Sequence, residues 1–196
     1  LLCATSQNAI QRSSYLMNIK WQRVLYLALI VVFLGAIITS VYYLLGGFEP
    51  IEVYKMKSEN RTLVGKTFYK HYTSGDPVDF GKRCRAIIEE NRIDGLLTVI
   101  RYNNDTIPDD MVYQFIGITL NNEMAEIPRD FEVHEVETGT RYGVFLTMHV
   151  LVQPRPPKIE AMIMDAAVEN EDELENFFVE LRYPDNSLSV EGWVSQ

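Results

Sequence analysis

Leu97-Thr98-Val99-Ile100-Arg101-Tyr102 and Phe178-Val179-Glu180-Leu181-Arg182-Tyr183 are two versions of one phrase. Both are rich in β-branched and aromatic residues, as strands are, and both end on Arg-Tyr. The repetition predicts one structural unit used twice. Between the copies one position changes character, because Glu180 stands where the first copy has Val99. A charge inside an otherwise apolar strand is costly unless it meets a partner. Glu180 is therefore the first candidate for function.

The same order of elements surrounds each copy. Residues 62–72 alternate and read as a strand, which Ser74-Gly75-Asp76-Pro77 breaks. Residues 78–93 follow a helical period, with Val78, Cys84, Ile87 and Ile88 as the apolar stripe. Strand 95–102, loop 103–108 and strand 112–120 complete a β-α-β-β unit. The second unit begins with strand 141–152. Pro154, Pro156 and Pro157 then lead into helix 159–177, with Met162, Ala166, Leu174 and Phe177 on one face. Strands 179–183 and 188–194 close it. The lead-ins echo too, Ile51-Glu52-Val53-Tyr54 against Phe131-Glu132-Val133-His134. The expected fold is α+β: duplicated β-α-β-β units with pseudo-twofold symmetry, forming an antiparallel sheet with two helices on one face. Residues 1–16 have no periodicity and receive no structure.

Strand alternation assigns the faces. Ile116, Ile118 and Leu120 should meet the helices, leaving Tyr113 and Phe115 on the open face. Val179, Leu181 and Tyr183 should also meet a helix, so Phe178, Glu180 and Arg182 are expected to face away. Glu191 and Trp193 are expected on the open side with Phe145. The candidate ligand-binding set is thus Glu180, Trp193, Tyr113, Phe115, Phe145, Phe178, Arg101 and Arg182. Aromatic walls around a carboxylate suit an amphipathic or cationic small molecule, through ring area and cation–π attraction. A plainer reading is that Glu180 pairs with Arg101 or Arg182 and closes the sheet.

Residues 24–48 carry no charge. As a helix the run exceeds the roughly 20 residues that a bilayer core of about 30 Å requires. Tyr26, Tyr42 and Tyr43 lie towards its ends, as interfacial aromatics do. No cleavage site of small residues follows. The expected organisation is an N-terminal segment 1–23, a transmembrane helix 24–48 and a domain 49–196, making a single-pass membrane protein. Arg12, Lys20 and Arg23 precede the run, and Glu49 and Glu52 follow it. This bias leans the domain to the extracytoplasmic side, the periplasm in a Gram-negative bacterium.

The net charge is −9, from 27 acidic and 18 basic residues, unlike a basic nucleic-acid-binding surface. Cys3 and Cys84 make neither a disulfide framework nor a thiolate zinc site. His71 and His149 have no carboxylate or thiolate company in the sequence that would make a metal site. No cofactor motif is visible. Catalysis would rest on Glu180 and Glu191 as base and acid on one face. The residues favour a binding module over such a hydrolase, and over an adaptor that tethers a partner protein.

The β-α-β-β duplication, the phrase 178–183 and Gly143-Val144-Phe145 resemble the GyrI-like domain family. This is the effector-binding domain of bacterial transcription activators, related in fold to the SOUL haem-binding proteins. Val64-Gly65-Lys66 and Arg101-Tyr102-Asn103-Asn104-Asp105-Thr106-Ile107-Pro108 are similar to a membrane-anchored branch of it. That branch contains the vertebrate testis-expressed receptor for autophagy of the endoplasmic reticulum. The resemblance implies a cleft between the halves for small, often cationic or aromatic molecules. It also implies a charge-reading glutamate at the place of Glu180, and aromatics such as Trp193 and Tyr113 lining the cleft. No helix-turn-helix is present to imply transcription control, and the receptor role is not carried over.

Overall fold

The computed structural model describes residues 2–103, 106–122 and 126–195, with the side chains of 2–20 and 22 outside the description. Two compact units result, Leu1–Phe48 and Glu49–Gln196.

The first unit is one helix, α1 (Leu2–Leu44). Residues 2–16 are helical too, contrary to the expectation of no structure there. No Pro or Gly interrupts the chain before Gly35, so nothing stops helical propagation. The helix ends earlier than residue 48. Gly46 adopts φ 79°, with Gly46 N–H on the Tyr43 carbonyl and Gly47 N–H on the Tyr42 carbonyl. This is a Schellman stop, and it needs a left-handed residue that glycine adopts at no steric cost. From Val24 to Leu44 the large apolar side chains are exposed.

The second unit is one eight-stranded antiparallel sheet with two helices. In chain order it contains β1 (Val53–Met56), β2 (Asn60–His71), α2 (Asp76–Glu89), β3 (Gly95–Tyr102), β4 (Met111–Leu120), β5 (Glu132–Glu137), β6 (Arg141–Leu146), α3 (Pro156–Glu169), β7 (Leu174–Arg182) and β8 (Leu188–Val194). The spatial order is β1-β6-β8-β7-β3-β4-β2-β5. Each β-α-β-β unit supplies half of the sheet, and the echoed strands β3 and β7 pair where the halves meet.

That central register explains the repeated phrase. In the echo Val99 corresponds to Glu180, and in the sheet Val99 lies directly opposite Glu180. Equivalent residues face one another only where a local twofold passes, so the pseudo-dyad runs between Val99 and Glu180. The lead-ins are exchanged. β1, which precedes the first half, pairs with β6 of the second, and β5, which precedes the second, pairs with β2 of the first.

Both helices lie on one face. The α3 stripe is Ile159, Ile163 and Ala167, packed against Tyr142, Val144, Leu146, Phe178 and Val190. This stripe falls one residue later than the expected Met162–Ala166 pair. Cys84 and Ile87 of α2 pack on Val64, Leu97 and Ile118, while Val78 is exposed. Burial pushes the Cys84 thiol up to about 11, so it is protonated and inert near neutral pH. Helix 159–177 is shorter than expected. It stops at Glu169 near Glu171, which has φ 59°, and Leu174 and Phe177 belong to β7. The strand expected over 141–152 ends at Leu146.

The opposite face is not open. Leu63, Ile100, Phe115, Val179, Leu181 and Trp193 form a second buried core there without any helix. Val136 of β5 packs against it, so strands far apart in the sheet order meet over one core. The sheet curls on itself and fills its own concave side. Gly65 and Gly117 lie opposite one another under the Phe115 ring, where a Cβ on either would fall 2.8 Å from that ring. Glycine in a strand marks such close approaches and bends.

Candidate functional site

Two buried carboxylates sit on adjacent strands, one on each face. Glu180 of β7 pairs with Val190 of β8, so Glu191 projects from the other side of the sheet. The expectation that they share a face is corrected, and with it their use as an acid–base pair.

The expected facing of β7 is corrected as well. Phe178 belongs to the core under α3, and Glu180 and Arg182 share its face by alternation. Val179 and Leu181 belong to the concave core. Placing the all-apolar set under the helices fails because this sheet has a core on each face. Leu97 packs under α2, so Arg101 also lies on the helix side by alternation. Tyr113, Phe115, Phe145, Glu191 and Trp193 are on the concave face. The expected ligand set is therefore divided between two faces.

On the helix face, Glu180 is 7% exposed and held by both arginines of the echo. Arg101 Nη2 donates to Glu180 Oε1 at 2.6 Å, and also to Glu160 Oε1 of α3 at 2.9 Å. Arg182 Nη2 donates to Glu180 Oε2 at 3.2 Å. The two arginines are equivalent in the echo and flank the pseudo-dyad, and both reach for the single carboxylate that stands on it. Glu160 was not anticipated. It carries no periodic signal, and only the packing of α3 brings it to Arg101.

Beside this cluster lies a cavity of about 980 Å³. Its walls are Arg85, Ile88 and Glu89 from the end of α2, and Arg155, Pro156 and Ile159 from the start of α3. Leu97, Glu180, Arg182, Tyr183, Leu188 and Val190 are among the other wall residues, as is Asp94. Both halves contribute. Such concave, largely apolar sites with a few charged groups suit small molecules. Glu180 and Arg182 line the cavity, whereas Arg101 and Glu160 are not among its walls. Burial raises the Tyr183 phenol above its usual range, and the Glu191 charge adds to this.

On the concave face, Glu191 is 3% exposed and accepts both terminal nitrogens of Arg61, at 2.8 and 3.0 Å. Trp193 Nε1 donates to it at 3.3 Å. Arg141 Nε approaches it to 3.3 Å, and Arg141 Nη2 pairs with Glu59 at 2.9 Å. Arg61 also binds Glu59. Burial alone would lower the Arg61 pKa, but Glu191 and Glu59 together outweigh it and the net direction is up. This network ties β2 of the first half to β8 of the second and closes the curl. An aromatic ladder continues beside it: Tyr69, Tyr113, Tyr102, Phe177 and Trp193 touch in sequence, with centroids 4.5–6.2 Å apart. The aromatics Phe145 and Tyr183 form a separate edge-to-face pair.

No protein-family model matches the chain, and no curated protein matches it by sequence. Solved structures do match. The cryo-EM structure of an EcmrR–DNA complex (EcmrR-RPo) covers 89% of this chain and 70% of its own, at 10% identity and a TM-score of 0.50. The EcmrR C-terminal domain covers 75% of this chain and 98% of its own, at 12% identity and a TM-score of 0.46. SAV2435 bound to tetraphenylphosphonium covers 74% and 94%, at 12% identity and a TM-score of 0.40. The likeness is one of fold.

Proposed function

We propose that this chain is a membrane-anchored small-molecule-binding module of the GyrI-like effector-binding type, holding amphipathic or cationic ligands over Glu180. The observation that carries the reading is the cavity between the helices, built from both halves and bearing a buried carboxylate at the pseudo-dyad. Ile88, Leu97, Ile159 and Val190 supply apolar wall, and Glu180 supplies charge. The ligand-reading residue is then Glu180, with Arg101 holding it in position and Arg182 beside it on the cavity wall. Phe115 and Trp193 shape the concave core behind the sheet, and Tyr113 lies exposed on the same face.

The anchor is the apolar part of α1. Residues Arg23–Leu44 have a mean hydropathy of 2.7 and none of that window is buried. Exposed apolar area of this extent calls for a covering phase, and a bilayer is one. The charge distribution around it favours an extracytoplasmic domain.

The test is thermal unfolding of the full chain in detergent, with and without tetraphenylphosphonium as a lipophilic monocation. A ligand that prefers the folded state stabilises it, by about 2.7 kcal/mol at a hundred times its Kd. Wild type should gain stability, and Glu180→Gln should gain much less. An equal gain in both proteins removes Glu180 as the charge reader. No gain with this cation or with an amphipathic panel removes the reading itself.

A further inference from the structure

We propose that Arg182 is a built-in competitor, an internal cation that occupies the place of a cationic ligand at Glu180 until the ligand displaces it. The inference rests on the binding reading above and deepens it. Four charges make up the cluster: Glu160 and Glu180 against Arg101 and Arg182. Glu160, Glu180 and Arg101 are largely buried, and by themselves they carry one net negative charge. Unbalanced buried charge is expensive, so the cluster has one vacancy for a positive group. Arg182 fills it.

The two arginines fill their roles differently, although the echo makes them equivalent. Arg101 is 29% exposed and bridges two carboxylates at 2.6 and 2.9 Å. Arg182 is 47% exposed and, among the described residues, reaches one carboxylate at 3.2 Å. Arg182 lines the cavity, where a ligand would enter, and Arg101 is not among its walls. Only the guanidinium end of this pair is exposed, and water screens that end and weakens its hold. A half-exposed guanidinium can swing into water and leave Glu180 Oε2 to an incoming cation. The cluster is then balanced again, and the apolar walls select a cation with hydrophobic substituents. A small hydrated cation gains nothing from those walls.

The experiment is calorimetric titration of tetraphenylphosphonium into the full chain in detergent, for wild type, Arg182→Ala and Arg182→Gln. Triphenylphosphine oxide serves as a neutral ligand of similar shape. Both variants should bind the cation about fivefold more tightly, the factor expected when a competing state occupies about four molecules in five. Affinity for the neutral ligand should stay within about twofold. Wild-type binding with no gain in either variant overturns the competitor role and leaves the binding reading intact. An equal gain for the neutral ligand also overturns it, because Arg182 would then be only a steric plug. Absence of binding by all three proteins overturns both.

Discussion

Glu180 and Glu191 are one strand apart, both almost fully buried and both held by two arginines, yet they sit in different surroundings. Glu191 takes a bidentate grip from Arg61, which is 9% exposed, and a longer contact from Arg141, which is 7% exposed. The concave core encloses them. Glu180 borders a cavity, and one of its arginines is half in water. Identical chemistry thus serves two ends. Where every partner is enclosed, the pair locks two distant strands together. Where one partner is exposed and a cavity adjoins, the carboxylate can exchange partners.

The sharpest break of this comparison is Glu191→Ala. It strands Arg61 and Arg141 in the concave core, and removal of one member of a buried ion pair costs about 3–5 kcal/mol. Denaturant unfolding should show that loss, and a loss below about 1 kcal/mol would mean the network does not lock the sheet. Glu180→Gln should cost less, about 2 kcal/mol, because Arg101 keeps Glu160. If it proves the costlier of the two, the roles are reversed. Arg182→Ala should change stability by at most about 1 kcal/mol, in contrast to its effect on cation affinity.

The smallest effect concerns acid. Burial pushes Glu59 up, but hydrogen bonds and charge from Arg61 and Arg141 outweigh it and hold the carboxyl below its usual range. A carboxylate with a depressed folded pKa contributes stability above its unfolded value, near 4.5, and loses it as pH falls through the folded value. Unfolding of wild type and Glu59→Gln should therefore differ at neutral pH and converge below about pH 4.5. A gap independent of pH would detach Glu59 from the network.

The duplication was legible because β3 and β7 repeat residue types at equivalent places, and the paired register turns that repetition into a dyad. Helix stops were less so. Leu174 and Phe177 have helical spacing, but the left-handed turn at Glu171 separates them from α3. Half of the facing was also hidden. Val179 and Leu181 look like the helix-facing set because they are apolar, but they face a core made by closure of the sheet. That closure depends on Arg61 meeting Glu191, 130 positions along the chain, and no local pattern reports such a contact. The exchange of lead-ins was equally invisible, since β1 and β5 resemble one another and either half could accept either strand. Of the candidate cavity, Glu180 and Arg182 were legible in the sequence, and most of the wall was not, because α2 and α3 supply much of it.

The most direct measurement is carboxyl carbon NMR of the full chain labelled at glutamate, with Glu180 and Glu191 assigned from their Gln variants, during titration with tetraphenylphosphonium. The account predicts that the Glu180 resonance moves with saturation while Glu191 stays within its linewidth. A shift of Glu191 with Glu180 unmoved, or a saturable binding isotherm in which neither moves, would contradict it.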